Sequence, residues 1–340
     1  MRADEATAAA ESPAPREEPR PLGADGAVRP RLAVSSCLIG ELVRFNGGHS
    51  RDRFLSNALG GHVDWVPVCP EIEIGLGSPR EPVRLERSPC GVRLMSRRTR
   101  RDLTAPMLEL AATRAGALDV DGYVFKSKSP TCGTHGIPVH GEGTSVDRHG
   151  RGMFAEVIME SHPLLPVEDE GRLHDDVLRE AFVERIFAHA RLRAFLDSAW
   201  RPGDLVAFHA RHKMQILAHD PAAYGTLGRL VARAGTLPRD LLAAGYAHGF
   251  ASALATRASI GRNVNVLHHC LGMISERLDP ARRADLLEVI HAYQSRRVPL
   301  SVPLALLRHH SLAADAEYVR DQTYFSLYPD DLGLRNHVPA

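Results

Sequence analysis

Residues 121–133 read DGYVFKSKSPTCG, an apolar run followed at once by a basic turn. The first half is typical of a short buried strand, and Pro130 and Gly133 mark a turn around Cys132. A cysteine that only fills a core normally lies inside a strand or helix, so Cys132 indicates another role. Cys37 in AVSSCLIG (33–40) and Cys69 in WVPVCPE (65–71) have the same setting. We therefore treat the three cysteines as candidates for one shared function.

Segment 31–172 alternates between strand and helix patterns. RLAVSS (31–36) and HVDWVPV (62–68) are typical of buried strands, whereas 104–118 and 152–163 have helical spacing. LLPVEDE (164–170) adds a further strand. This alternation predicts an α/β domain with a mostly parallel, Rossmann-like sheet. Ligands of such sheets bind beyond the carboxyl ends of the strands, where all three cysteines fall.

From Leu173 onward the pattern is helical. HDDVLREAFVERIFAHARLRAFLDSA (174–199) predicts a long amphipathic helix that Pro202 and Gly203 end. The sequence thus divides into a disordered tail (1–30), an α/β domain (31–172), a connecting helix (173–203) and an all-α domain (204–340). The all-α domain has a basic stretch, with twelve Lys and Arg against seven Asp and Glu between residues 204 and 297.

Composition favours a soluble cytoplasmic protein. The 340-residue chain is 44% hydrophobic and 24% charged, with a net charge of +1. No apolar run approaches the roughly 20 residues that a membrane span needs. The N-terminal tail lacks the apolar segment of a signal peptide, which predicts a cytoplasmic location and no membrane partner. Cysteines in that compartment serve ligation, catalysis or packing rather than disulfides.

Three cysteines at strand ends predict a soft metal centre. Zinc is one candidate, with His49 or His135 as a fourth ligand. The cysteines lie 32 and 63 residues apart, however, without the close pairs typical of structural zinc sites. Such spacing favours a 4Fe–4S cluster held by several loops. Three protein ligands leave one iron open, and that iron can act as a Lewis acid.

Three motifs together resemble the thiouracil desulfidase family: SSCLIGELVRFNGGHS (35–50), VPVCPEIEIGLGSPREPVRLE (66–86) and KSKSPTCG (126–133). The resemblance covers about residues 31–165. Residues 204–337 resemble the helical YbgA-like domain often fused behind it. Two-domain chains of this kind resemble bacterial desulfidases that remove sulfur from 4-thiouridine in tRNA, which implies tRNA as the partner.

The resemblance also implies roles for individual residues. It implies a 4Fe–4S cluster on Cys37, Cys69 and Cys132, an acid/base role for Glu71 and a catalytic role for Ser129. Further candidates for substrate contact, weighed against turn-forming or solvated roles, are Arg44, Asn46, Lys126, Lys128, Arg211 and Lys213. Arg80 has the same ambiguity, and Cys90 and Cys270 are interpreted as free, packed thiols.

Three functions remain open on the sequence. The first is a redox-neutral, hydrolytic tRNA 4-thiouridine desulfidase. The second acts on free thiouracil or thionucleosides, with the helical domain serving oligomerisation. The third is a non-catalytic RNA-binding protein with a zinc or cluster cofactor.

Overall fold

An α/β region is followed by an all-α region, which confirms the predicted fold class. The computed structural model describes residues 28–141 and 145–338. The strands are β1 Arg31–Ser35, β2 Asp64–Val68, β3 Val83–Ser88, β4 Gly91–Ser96, β5 Gly122–Phe125, β6 Ile137–His140, β7 Val146–Gly150 and β8 Val167–Asp169. The helices are α1 Pro70–Glu73, α2 Thr104–Gly116, α3 Met153–Ser161, α4 Asp176–Asp197, α5 Pro202–His219, α6 Pro221–Val231, α7 Arg239–Ala255, α8 Ile260–Ile274, α9 Pro280–Gln294, α10 Ser301–Ala313 and α11 Glu317–Arg320.

The predicted tail lies mostly in residues 1–27, outside the described residues. Its predicted end at residue 30 is too late, because Arg29 is already fixed to the folded domain. The Arg29 guanidinium donates to the Gly61 carbonyl at 2.7 Å and to Asp64 Oδ1 at 3.1 Å.

The first sheet has the order β2-β1-β5-β8, and every pair in it is parallel. Helices α2 and α3 pack on one face, where their side chains join Ala33, Tyr123 and Phe125 in one core. Helix α4 packs on the other face, against Leu32 and Val34. This three-layer arrangement brings the carboxyl ends of β1, β2 and β5 to one edge of the sheet.

Strand β2 is an edge strand, so its interpretation as a buried strand was wrong. Asp64 and Pro67 are exposed, and Trp65 and Val66 are half-buried. Proline lacks the N–H that a central strand donates to its neighbours, and an edge position tolerates that loss. The apolar composition of residues 62–68 does not distinguish an edge strand from a central one.

A second, mixed sheet lies beside the first and was not predicted. Its order is β4-β3-β6-β7, with antiparallel pairs at both ends and one parallel pair between β3 and β6. Cys90 lies in the turn between β3 and β4 and is exposed, so its interpretation as a packed thiol was wrong. A tight hairpin turn keeps its side chain at the surface, beside the Arg93 guanidinium. Cys270 is packed as predicted, with 0% of its surface exposed.

Helix α4 belongs to two cores at once. Phe182, Val183 and Ile186 face the parallel sheet. The opposite face carries Ala188, which packs with residues of α5 and α7. The helix ends at Asp197, and Pro202 begins α5 rather than ending α4. The segment predicted as a connection is thus the central packing element between the sheet and the helices.

The remaining helices, α5 to α11, form the all-α region. Helices α6 and α7 pack in the core that contains Ala188, and α8, α9 and α10 form a separate core. Among the helices of residues 28–141 and 145–338, none has the length and apolar character needed to cross a membrane.

Candidate active site

Cys37, Cys69 and Cys132 line a single cavity of about 370 Å³ at the carboxyl edge of the parallel sheet. Cys37 lies in the short 3₁₀ turn that follows β1, and Cys69 directly precedes α1. Cys132 lies in the loop that leaves β5. The three cysteines, each at the end of a strand, therefore lie close together in space.

Burial keeps the cysteine thiols protonated at neutral pH when nothing positive binds them. The pKa of Cys37 is raised to about 11, chiefly by burial, with an opposing effect of Lys126 and a smaller upward effect of the neighbouring Cys69. Burial likewise raises the pKa of Cys132 to about 12. Metal binding requires thiolates, so iron loading must release these protons. Three sulfur donors on one cavity fit the ligand preference of an iron–sulfur cluster.

The two histidines considered as zinc ligands lie elsewhere. His49 is exposed, and its Nδ1 accepts a hydrogen bond from the Arg51 amide at 3.2 Å. His135 is also exposed and shares a hydrogen bond with Thr134 Oγ1 at 2.9 Å. Among the described residues, no three His, Cys, Asp or Glu side chains are grouped to hold a single metal ion.

Glu71 extends from α1 into the same cavity and is held on both carboxylate oxygens. Its Oε2 accepts from Arg80 Nε at 2.6 Å and forms an ion pair with the same guanidinium. Its Oε1 accepts from the Thr131 hydroxyl at 2.8 Å. Arg80 is fixed in turn by donating to the Val43 and Gly77 carbonyls, both at 2.8 Å. Glu71 is therefore a positioned carboxylate rather than a solvated one.

Ser129 lies at the opposite end of this hydrogen-bonded group. Its Oγ accepts from the Thr131 and Cys132 amides at 3.3 and 3.2 Å, and lies 2.9 Å from Thr131 Oγ1. Because the Thr131 hydroxyl donates to Glu71, Ser129 is the donor in its bond with Thr131. Ser129, Thr131 and Glu71 thus form one continuous chain along the cavity wall.

The first turn of α3 holds the loop that carries Cys132. The amides of Gly152, Met153 and Phe154 donate to the carbonyls of Gly133, Pro130 and Thr131, at 2.7, 3.1 and 3.0 Å. Amides at a helix start have no partner within the helix, and here the loop carbonyls satisfy them. Glycine is required at 152, since a Cβ there would lie 2.5 Å from the Thr131 carbonyl carbon and 2.7 Å from the Cys132 nitrogen.

Gly152→Ala is therefore expected to displace the Cys132 loop and to lower both iron content and the thermal unfolding midpoint. We expect iron per chain to fall at least about threefold, because a backbone clash cannot be relieved by a side-chain rotation. Iron analysis and calorimetry measure the two effects. Gly116→Ala is the matched control, since a Cβ at Gly116 meets nothing within 4 Å. Equal iron in both variants would show that the loop tolerates the shift.

The predicted substrate contacts near the cavity divide into two groups. Arg44, Lys126 and Lys128 line the cavity, whereas Asn46 does not. The Asn46 side chain accepts from the Gly48 amide at 3.2 Å and so stabilises its own turn. The Lys126 ammonium forms an ion pair with Glu170 and donates to the Ser127 carbonyl at 3.0 Å. Lys126 is therefore engaged within the protein, while Arg44 and Lys128 remain candidates for substrate contact.

Arg211 and Lys213 lie on α5 and do not line the cavity. Arg211 is exposed, and the Lys213 ammonium lies 4.7 Å above the Tyr318 ring. The neighbouring His212 is a core residue with 3% of its surface exposed, and burial lowers its pKa to about 3. The two cations therefore belong to the surface of the helical region.

Sequence reasoning missed three residues of the site. Thr131 was passed over although it directly precedes Cys132, Arg80 was left ambiguous, and Glu170 was not considered. The only signal for Thr131 was a hydroxyl within the SPTCG motif. Its partner Glu71 lies 60 residues away, and no local pattern reveals that contact.

Comparisons with known proteins agree with the two-part organisation. Residues 32–170 match the family model described as 2-thiouracil desulfurase, and residues 213–329 match that of a protein of unknown function, DUF1722. The uncharacterized protein YbgA of Escherichia coli (strain K12) is 29% identical over 153 residues, covering 45% of this chain and 90% of YbgA. The uncharacterized protein YbbK of Bacillus subtilis (strain 168) is 28% identical over 138 residues, covering 38% of this chain and 90% of YbbK.

A solved structure, the 4Fe–4S-dependent thiouracil desulfidase TudS, is 26% identical to this chain, with a TM-score of 0.35. The match covers 43% of this chain and 94% of TudS.

Proposed function

We propose that this protein is an iron–sulfur desulfidase that acts on 4-thiouridine in tRNA. The order of the two family matches, 2-thiouracil desulfurase followed by DUF1722, supports the proposal. The products are uridine and sulfide, and no net redox change occurs. The observation that carries the proposal is the convergence of Cys37, Cys69 and Cys132 with Glu71 and Ser129 on one cavity.

The residues fit a cluster, and Cys37, Cys69 and Cys132 would hold it. What the cluster supplies when bound is an iron without a protein ligand, a Lewis acid suited to a soft thiocarbonyl sulfur. The overall reaction consumes one water: the C–S bond is replaced by a C–O bond, and hydrogen sulfide leaves.

The protein's own residues then carry the proton transfers. Glu71, fixed between Arg80 and Thr131, takes a proton from the attacking water as general base. Ser129 completes the chain behind Glu71, since its hydroxyl donates to Thr131 while its oxygen accepts from the Thr131 and Cys132 amides. Cys37 and Cys132 are 8% and 6% exposed, so this part of the cavity wall is largely shielded from solvent.

The choice of tRNA rests on the helical region. Its excess of arginine suits phosphate binding, since the forked guanidinium matches phosphate oxygens. A cavity of about 370 Å³ is small for a ligand site and suits a single splayed-out base. We propose that the helical surface binds the RNA backbone while one thiolated base enters the cavity.

A second candidate is desulfuration of free thiouracil, which the description of the matching family favours directly. Anaerobically purified protein should be assayed on 4-thiouridine-containing tRNA, on 4-thiouridine and on 2-thiouracil, with sulfide and product both measured. A kcat/KM on tRNA at least about tenfold higher than on either free substrate supports the first candidate, since a factor of ten corresponds to about 1.4 kcal/mol. A preference for 2-thiouracil favours the second, and no sulfide from any substrate contradicts both.

The combined substitution Arg211→Glu with Lys213→Glu is expected to lower kcat/KM on tRNA about tenfold or more and to leave free 2-thiouracil turnover unchanged. Each lost phosphate contact weakens binding and flattens its dependence on salt. Arg148→Glu, at an exposed arginine on β7 of the α/β region, is the control. Equal losses on both substrates would indicate misfolding, and no loss on tRNA would remove these two residues from the RNA surface.

A further inference from the structure

We propose that Thr131 is a positioning residue, whose hydroxyl holds Glu71 and Ser129 in the arrangement that desulfuration requires. This inference rests on the proposed function and adds a residue to its machinery. The geometry behind it is the unbroken chain from Ser129 Oγ through Thr131 Oγ1 to Glu71 Oε1, with steps of 2.9 and 2.8 Å.

Thr131 is the one member of this chain that is fully buried, with 0% of its surface exposed. A buried hydroxyl needs partners, and here one oxygen donates to Glu71 while it accepts from Ser129. Both bonds use the same atom, so any rotation of the Thr131 side chain would break them together. Thr131 thereby couples the orientation of the carboxylate to that of the serine hydroxyl.

The backbone of Thr131 is itself held by the start of α3. Its carbonyl accepts from the Phe154 and Ala155 amides at 3.0 and 3.1 Å, so the start of α3 holds the backbone. A β-branched side chain has few rotamers, which restricts the hydroxyl further. Arg80 fixes the other oxygen of Glu71. The carboxylate is thus held on both oxygens. Arg80 provides the opposite charge, and Thr131 links the carboxylate to Ser129.

The Thr131 hydroxyl also lies 3.5 Å from Cys132 Sγ, which offers an alternative role in supporting a cluster ligand. The two roles differ in what a substitution changes. Loss of a positioning hydroxyl lowers kcat with iron retained. Loss of a ligand support lowers the iron content itself.

The test uses the full-length protein with Thr131→Val, which keeps the branched shape, and Thr131→Ser, which keeps the hydroxyl. Thr131→Val is expected to retain iron, visible spectrum and uracil affinity by calorimetry. Its kcat should fall about 10²-fold, the scale of a misplaced acid/base group, with KM within about threefold. Thr131→Ser should restore kcat to within about tenfold of wild type, because the hydroxyl is present but less restricted.

A double substitution shows whether Thr131 acts through Glu71. Residues that work as one unit are not additive, so Glu71→Gln with Thr131→Val should be no slower than Glu71→Gln alone. Normal kcat in Thr131→Val, fully additive losses, or iron loss in Thr131→Val would each overturn the positioning role. A wild-type protein that releases no sulfide would instead overturn the proposed function, and this inference with it.

Discussion

The substitutions Cys37→Ala, Cys69→Ala and Cys132→Ala are each expected to abolish iron binding and desulfidase activity together. All three sulfurs line one cavity, and removing one leaves two thiolates for a cluster that needs three. Iron and sulfide per chain should fall to background, and the visible absorption should disappear. Reconstitution with excess iron and sulfide should not restore either.

Cys90→Ala and Cys270→Ala serve as controls because neither thiol reaches the cavity. Cys90→Ala should change nothing measurable, since that side chain is exposed in a hairpin turn. Cys270→Ala should keep its iron and lose only about 1 kcal/mol of stability, the cost of a small buried cavity. Equal iron content in all five variants would contradict the ligand assignment.

Glu71→Gln is expected to keep the cluster but lower kcat at least about 10²-fold, because an amide cannot accept the proton of the attacking water. The glutamine is nearly isosteric, so the chain from Thr131 can survive while the ion pair with Arg80 does not. Single-turnover assays on 2-thiouracil and on tRNA should show the same loss, since the chemical step is common to both.

Glu73→Gln is the matched control, two residues along the same helix. Glu73 extends away from the cavity and accepts from Arg114 Nε at 2.8 Å. Its substitution should leave kcat within about twofold of wild type, as is usual for an exposed ion pair. A near-normal kcat in Glu71→Gln would move the proton transfer to another group.

The three cysteines could be grouped from sequence because strand ends of a parallel sheet share one edge, whatever the spacing along the chain. That argument needs only strand positions, which the apolar runs at 31–36 and 121–125 reveal. The same reasoning failed for β2, since an edge strand and a central strand can have similar composition. It also missed the second sheet, whose pairs join residues far apart, such as Leu85 and Val139.

Side-chain contacts of the site were beyond sequence reasoning for a different reason. The bond between Thr131 and Glu71 depends on how the first turn of α3 fixes residues 130–133, and that in turn depends on the absence of a Cβ at Gly152. Each step is a long-range packing relation rather than a local preference. Motif similarity predicted site roles for Glu71 and Ser129 but not for the hydroxyl between them.

Because α4 packs in two cores, the α/β and helical regions are expected to unfold together. YbgA and YbbK are each matched over 90% of their own length by less than half of this chain, so domain-sized counterparts exist as separate proteins. Here, however, Ile186 and Ala188 tie the sheet and the helices to one helix. Heating should therefore give one cooperative transition rather than two. A chimera that exchanges the helical half must keep both faces of α4 matched to their neighbours, wherever its junction falls.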